Sequence, residues 1–220
     1  QDVPIYGTRL TLALTREKLK DAHLSSPNLV EIQPRQKLDV GPFDLEFIQV
    51  NHSIVDGVAV VVNTPLGAIV HTGDFKIDQA NSDDRIDLYK FAEYGEKGVL
   101  ALLSDSTNAD TPGCTDSETV VGRNLEKIFQ EAPGRVILAC FASSLARIKQ
   151  VARAASAVGR KIAFDGRGML NIVKLAKSLG YLHIEEEDEV NLADSQDIPD
   201  DELIIVATGS QGEPMSALYR

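Results

Sequence analysis

Two short stretches of this sequence carry side chains able to hold a metal ion. Asn51-His52-Ser53 and His71-Thr72-Gly73-Asp74 each follow or close an apolar run and offer an imidazole or a carboxylate among small polar residues. Neutral imidazole is a good zinc ligand, and a carboxylate has two oxygens to share between neighbouring ions. At a strand end such a side chain can leave the sheet and face a cleft while its backbone stays rigid, and Gly73 permits a close main-chain approach beside Asp74. Alone, His52 reads more simply as a hydrogen-bonded structural histidine. Two such sites at the ends of adjacent strands shift the balance toward metal ligation along one wall of a site spanning 51–76.

A second kind of site is suggested near Ser143 and Ser144, which follow a strand and open a helix containing Leu145 and Ile148. Free backbone N–H groups at a helix start, with hydroxyls beside them, make an anion site. Simple N-capping by a serine explains the same residues without a ligand. Arg147, Lys149 and Arg153 on that helix could add positive charge or stay solvated. The loop from Gly209 to Gly212 could hold phosphate or merely turn the chain. His71 suits a supporting or packing role rather than ligation, and His23 and His183 read as surface residues.

The elements that must position these groups change character along the chain. Phe43, Leu45 and Phe47 alternate with Asp44 and Glu46, the period of a half-buried strand. Apolar runs at 57–63 and 68–71 flank Thr64-Pro65-Leu66-Gly67, which suits a type I turn, so an antiparallel meander is expected. Strands at 29–33 and 37–40 should extend it, and 15–22 suits a short helix. From Thr115-Asp116-Ser117-Glu118, which has the form of a capping box, strand and helix patterns alternate. Helical spacing at Val121, Leu125, Ile128 and Phe129 precedes a strand at 135–140. Leu145, Ile148, Ala152 and Ala155 mark a helix, 161–164 a strand, Met169, Ile172, Val173 and Ala176 a helix, and 203–207 a strand. That alternation predicts parallel βαβ units. The boundary falls near 114, giving domains at 1–114 and 115–220, and 215–220 suits a helix.

Composition sets the remaining bounds. With 220 residues, 43% of them hydrophobic and 25% charged, the chain can bury a substantial core. No apolar run approaches bilayer length and no signal peptide is visible, so the default compartment is the cytoplasm. Cys114 and Cys140 form no CxxC pair and read as buried thiols. The net charge of −11 counts against a nucleic-acid partner unless bound metal ions supply the positive field. The acidic run 185–189 suits a solvated loop.

Asn51-His52-Ser53-Ile54, followed by His71-Thr72-Gly73-Asp74-Phe75-Lys76, resembles the third and fourth metal-binding motifs of the metallo-β-lactamase fold, in the subtype of the β-CASP ribonucleases. Ser104-Asp105-Ser106-Thr107-Asn108-Ala109, Phe141-Ala142-Ser143-Ser144, Gly166-Arg167 and Ala207-Thr208-Gly209-Ser210-Gln211-Gly212-Glu213-Pro214 match in family order. The resemblance implies an α/β fold: part of an αββα metallo-β-lactamase sandwich over 1–114, then part of a β-CASP domain with parallel βαβ units over 115–220.

What the resemblance implies about function is specific. His52 would bind one of two zinc ions and Asp74 would bridge both, with the ions activating water for attack on an RNA phosphodiester. Asp105 matches an acidic catalytic motif, though an Asp that binds backbone amides in its own turn fits equally well. Ser143, Ser144 and the Leu145 N–H would take the 5′-terminal phosphate of single-stranded RNA. The parent would be a cytoplasmic, non-membrane endonuclease and 5′-to-3′ exonuclease forming dimers or tetramers. A DNA-directed β-CASP nuclease and a non-catalytic RNA-binding or assembly module are the alternatives. No His-x-His-x-Asp-His occurs and no histidine follows His183. The expectation is a fragment whose other ligands lie outside it, inactive alone, with a degenerate paralogue as the competing account.

Overall fold

The computed structural model describes residues 3–24, 27–80, 85–212, 214 and 216–219. The chain divides into two compact units, Gln1–Ser117 and Glu118–Arg220.

The first unit is built on a five-stranded mixed sheet. Its order is β3 (Lys37–Val40), β4 (Phe43–Gln49), β5 (Val58–Thr64), β6 (Gly67–His71) and β7 (Val99–Leu103). The first four strands pair antiparallel and β7 joins β6 in parallel. Pro65 and Leu66 make the two-residue connection between β5 and β6, with Thr64 opposite Gly67 as the closing pair. The Thr64 hydroxyl donates to the Gly67 carbonyl at 2.8 Å. Ile48, Val50, Ala59, Val61, Ala68 and Val70 form the core with Ile86 and Tyr94, and Phe75 and Phe91 pack against it.

Three expectations for this unit are corrected. The segment at 29–33 does not extend the meander: β2 (Leu29–Glu31) pairs in parallel with β1 (Ile5–Gly7) in a separate two-stranded sheet. The helix expected at 15–22 is longer, running as α1 (Arg9–Asp21), because Leu10 and Leu12 supply a buried first turn. β4 is not simply half-buried. Glu46, expected on a polar face, is buried beside Phe47 and Ile48, while Phe43 is exposed. The reason is α2 (Leu88–Lys97), whose Tyr94 hydroxyl donates to Glu46 at 2.6 Å and whose Lys90 ammonium reaches it at 2.7 Å. Asp87 caps α2, accepting from the Lys90 N–H, and is itself held by Arg35 at 2.7 Å.

The second unit contains a three-stranded parallel sheet in the order β8 (Val136–Ala139), β10 (Leu203–Ala207), β9 (Lys161–Asp165). α3 (Glu118–Glu131) precedes β8, α4 (Leu145–Ala157) links β8 to β9, and α5 (Arg167–Ser178) leads from β9 toward β10. β10 is central and reads Leu-Ile-Ile-Val-Ala, a near-continuous apolar run suited to burial on both faces. Ile148, Val151, Ala154 and Ala155 of α4, and Met169, Ile172, Val173 and Ala176 of α5, supply the buried helix faces. The buried Arg160 guanidinium closes the turn after α3 by donating to the Ala132 and Gly134 carbonyls.

The capping-box register is also corrected. α3 starts at Glu118, so Thr115 does not cap it. The Ser117 hydroxyl lies on the Asp78 carboxylate, 2.8 and 3.0 Å from its two oxygens. Cys114 is exposed, contrary to expectation, whereas Cys140 is buried and its thiol is pushed up by desolvation. Residues 217–219 form a turn rather than a helix; Glu213, Met215 and Arg220 lie outside the described residues. The 185–189 loop is mainly exposed, yet Glu189 bridges β9 at Ile162 and pairs with Lys177.

Candidate functional site

β4 and β6 both run antiparallel to β5, and β7 runs parallel to β6, so the three strands end at one edge of the sheet. Each delivers one loop of the candidate site there. His52 follows β4, Asp74 follows β6 and Asp105 follows β7. The first two strands are not adjacent, as the sequence suggested, because β5 lies between them. Their common direction brings the loops together.

Main-chain bonds lock the loops. The Lys76 N–H donates to the Asn51 carbonyl at 2.8 Å, forming an isolated bridge across the His52 and Asp74 loops. Gly73 has φ +60, and a Cβ there would sit 3.3 Å from the Val58 carbonyl, which explains its lack of a side chain. The Gly73 N–H donates to Nδ1 of His71 at 3.0 Å, so His71 supports the loop. Phe75 anchors the same loop in the core.

His52 Nε2 lies 3.8 Å from Asp74 Oδ2. That is too long for a hydrogen bond and close to the roughly 3.3 Å between two ligands of a tetrahedral zinc with bonds near 2 Å. His52 is about one-third exposed and Asp74 mostly exposed, so both face solvent from a fixed backbone. Among the described residues no group of three or more His, Cys, Asp or Glu could hold a metal ion. The separation of the pair is compatible with shared ligation of one ion.

Asp105 does bind amides in its own turn. Its Oδ1 accepts from the N–H and hydroxyl of Thr107 at 2.9 and 2.7 Å. Its Oδ2 accepts more weakly from the Phe75 N–H at 3.4 Å, beside Asp74. The Thr107 backbone and hydroxyl donors, with smaller help from Phe75 and nearby His52, hold the Asp105 carboxyl below the usual carboxylate range. His23 and His183 are exposed, as expected.

In the second unit, parallel strands bring three sequence motifs to one edge: Ser143 and Ser144 after β8, Gly166 and Arg167 after β9, Thr208 and Gly209 after β10. Ligands of open parallel sheets bind at such an edge. Ser144 occupies the N-cap of α4 without a side-chain capping bond. The Leu145 N–H donates to the Ser143 carbonyl at 2.9 Å, so it is an engaged donor rather than a free one. Arg147 pairs with Glu118 at 3.0 Å, which largely neutralises its charge. Gly209 and Gly212 close a turn on each other, the N–H of Gly212 donating to the Gly209 carbonyl at 3.0 Å. A Cβ on Gly209 would collide with Ser216 and Leu218, and one on Gly166 with the Thr208 hydroxyl at 2.8 Å. Close packing thus accounts for Gly166 and Gly209 without a phosphate.

Sequence reasoning missed the buried Thr72 hydroxyl, which joins the Asp74 and Asp105 loops. A threonine between His71 and Gly73 gave no local sign of a partner 33 residues away.

Residues 133–220 match the family model described as ribonuclease J, β-CASP domain. Among curated relatives, ribonuclease J of Synechocystis is 46% identical over 100% of this chain, and that of Thermus thermophilus is 46% identical over 99%. Ribonuclease J of Mycolicibacterium smegmatis is 42% identical over 100%. The chain spans only 35%, 39% and 39% of those relatives. A solved Enterococcus faecalis protein of unknown function shares the fold, with a TM-score of 0.68 at 15% identity over 93% of this chain and 53% of that one.

Proposed function

We propose that the chain belongs to the ribonuclease J family and supplies one wall of a zinc-dependent ribonuclease that hydrolyses RNA phosphodiesters, as endonuclease and 5′-to-3′ exonuclease. The observation that carries this reading is the convergence of His52 and Asp74 at one sheet edge, 3.8 Å apart, in a chain similar to ribonuclease J along its whole length.

His52 would hold one zinc ion through Nε2 and Asp74 would share its carboxylate between two. Bound there, the ions would polarise the phosphate and supply an ionised water near neutral pH. The chain's own contribution is to fix those donors. The bridge between Asn51 and Lys76 sets the spacing of the two loops, Gly73 lets Asp74 turn out of the sheet, and Phe75 ties it to the core. Asp105 is kept ionised, which suits a residue placed beside a cationic centre. A metal centre also answers the net charge of −11, since the ions would supply the positive field that a phosphate substrate needs.

RNA is the proposed partner, single-stranded and carrying a 5′-monophosphate taken up by Ser143, Ser144 and the Leu145 N–H. For the last of these, the 2.9 Å contact to Ser143 would have to open on binding. Among the described residues no helix is long and apolar enough to cross a membrane, and a cytoplasmic homo-oligomer is the proposed setting.

The test is cleavage of matched 5′-monophosphorylated RNA and DNA oligonucleotides by the intact protein, with zinc and with chelator. Zinc-dependent cleavage of RNA alone is expected. Preferential DNA cleavage would favour a DNA-directed nuclease of the same fold, and RNA binding with no cleavage would favour a non-catalytic module.

A further inference from the structure

We propose that Thr72 is a positioning residue: its hydroxyl is the clasp that sets the Asp105 loop against the Asp74 loop. The inference rests on the metal-wall reading of His52 and Asp74.

Thr72 is 4% exposed, unusual for a polar residue at a strand end. Its hydroxyl donates to the Gly73 carbonyl at 2.8 Å and accepts the Asp105 N–H at 3.0 Å. Its backbone N–H donates to the Leu103 carbonyl at 3.0 Å, extending the pairing of β6 and β7 by one step. A continuous chain of bonds therefore runs from Asp105 through Thr72 to Gly73, the residue whose φ of +60 turns Asp74 outward. The Asp105 carboxylate closes the loop by accepting the Phe75 N–H on the other side of Asp74.

The two contacts are unequal. The Phe75 contact is long at 3.4 Å and weak alone, whereas the hydroxyl contacts are well formed. Asp105's own turn with Thr107 shapes the loop internally but does not tie it to β6. The hydroxyl is thus the main side-chain link between the loops. Shifts on the scale of about 1 Å are enough to disable a preorganised site, so this link matters beyond its contribution to stability.

The experiment uses the 220-residue chain and Mn2+ as a paramagnetic probe read by NMR, which needs neither activity nor a complete ligand set. In the unsubstituted chain, Mn2+ should broaden His52, Asp74 and the amides of Asp105 and Thr107 together. In Thr72→Val, broadening at His52 and Asp74 should persist while that at Thr107 falls to about half or less relative to His52, as a displacement near 1 Å implies. Thr72→Ser should restore the original ratio. Exchange of the Asp105 amide should quicken about three- to tenfold in Thr72→Val, the consequence of one lost hydrogen bond.

An unchanged ratio in Thr72→Val, or Thr72→Ser behaving like Thr72→Val, overturns the clasp. Should Thr72→Val not fold, unprotected exchange of the Asp105 amide in the unsubstituted chain overturns it equally. Absence of any Mn2+ effect at His52 and Asp74 in the unsubstituted chain counts against the metal wall instead, and the exchange measurement then decides the clasp alone.

Discussion

Replacing Lys90 with methionine should destabilise the first unit far more than a surface charge loss would. The Lys90 ammonium sits between Glu46 at 2.7 Å and Glu93 at 2.9 Å, and the Glu46 side chain is only 3% exposed. Lys90→Met keeps the apolar stem and leaves the buried Glu46 carboxylate with the Tyr94 hydroxyl as its main donor. Removing one partner of a buried ion pair costs about 3–5 kcal/mol; since Tyr94 still donates, about 3 kcal/mol is expected here. With a slope of about 1–3 kcal/mol per molar urea, the midpoint should fall by roughly 1–3 M.

The pH dependence follows from the same residues. Burial alone would raise the Glu46 pKa, but Lys90 and Tyr94 outweigh it and hold the carboxyl below its ordinary range. Glu93, bonded by Lys97 and Lys90, is lowered to about 2. Folded values below the unfolded ones mean that these groups stabilise at neutral pH, and that this contribution fades as pH falls from about 4.5 toward the lowered values. Without Lys90, burial of Glu46 is opposed less, so acid should protonate it readily and relieve the defect. The gap between the two proteins should therefore be widest at pH 7 and shrink near pH 3.5. Amide exchange in β4 and β5 reports this unit separately, since two units need not unfold together. A loss under about 1 kcal/mol, or a gap that does not shrink in acid, would mean that Lys90 and Glu46 behave as an ordinary solvated pair.

In the second unit, Phe129→Ala empties a fully buried site and should cost about 3–5 kcal/mol in the unfolding of that unit. Gly166→Ala combines a φ of +99 with a 2.8 Å clash against the Thr208 hydroxyl; it should destabilise by at least about 1–3 kcal/mol and shift the NMR signals of 207–209. The 220-residue chain alone should show no zinc-dependent RNA cleavage, because two ligands do not hold a dinuclear centre, and measurable zinc-dependent turnover of a labelled RNA would refute that.

Much of the fold was legible because its strands carry their period openly. The β5–β6 hairpin follows from two apolar runs around Pro65 and Gly67, and the parallel sheet from short apolar runs alternating with amphipathic helices. α2 was hidden because Gly95 and mixed polarity blur its pattern, although Leu88, Phe91 and Tyr94 sit at helical spacing after Asp87, a capping residue. β7, five apolar residues, is too short for periodicity to separate strand from helix. Glu46 could not be placed inward without knowing α2, and β2 could not be assigned to β1 because parallel pairing leaves no turn to read. At the site, residue types suggested metal ligation by His52 and Asp74, and family resemblance supplied the role proposed for each; the structure shows the loops that carry them meeting at one sheet edge. The contacts that fix them, Thr72 with Asp105 and Asn51 with Lys76, join residues distant in sequence and leave no local trace.

The most direct test of the metal wall is RNA cleavage and zinc content of the intact protein before and after His52→Ala and Asp74→Ala, with circular dichroism confirming the fold. Loss of bound zinc together with a fall in cleavage of about a hundredfold or more is expected for each. Undiminished zinc content and cleavage in either folded variant would contradict the assignment of these two residues.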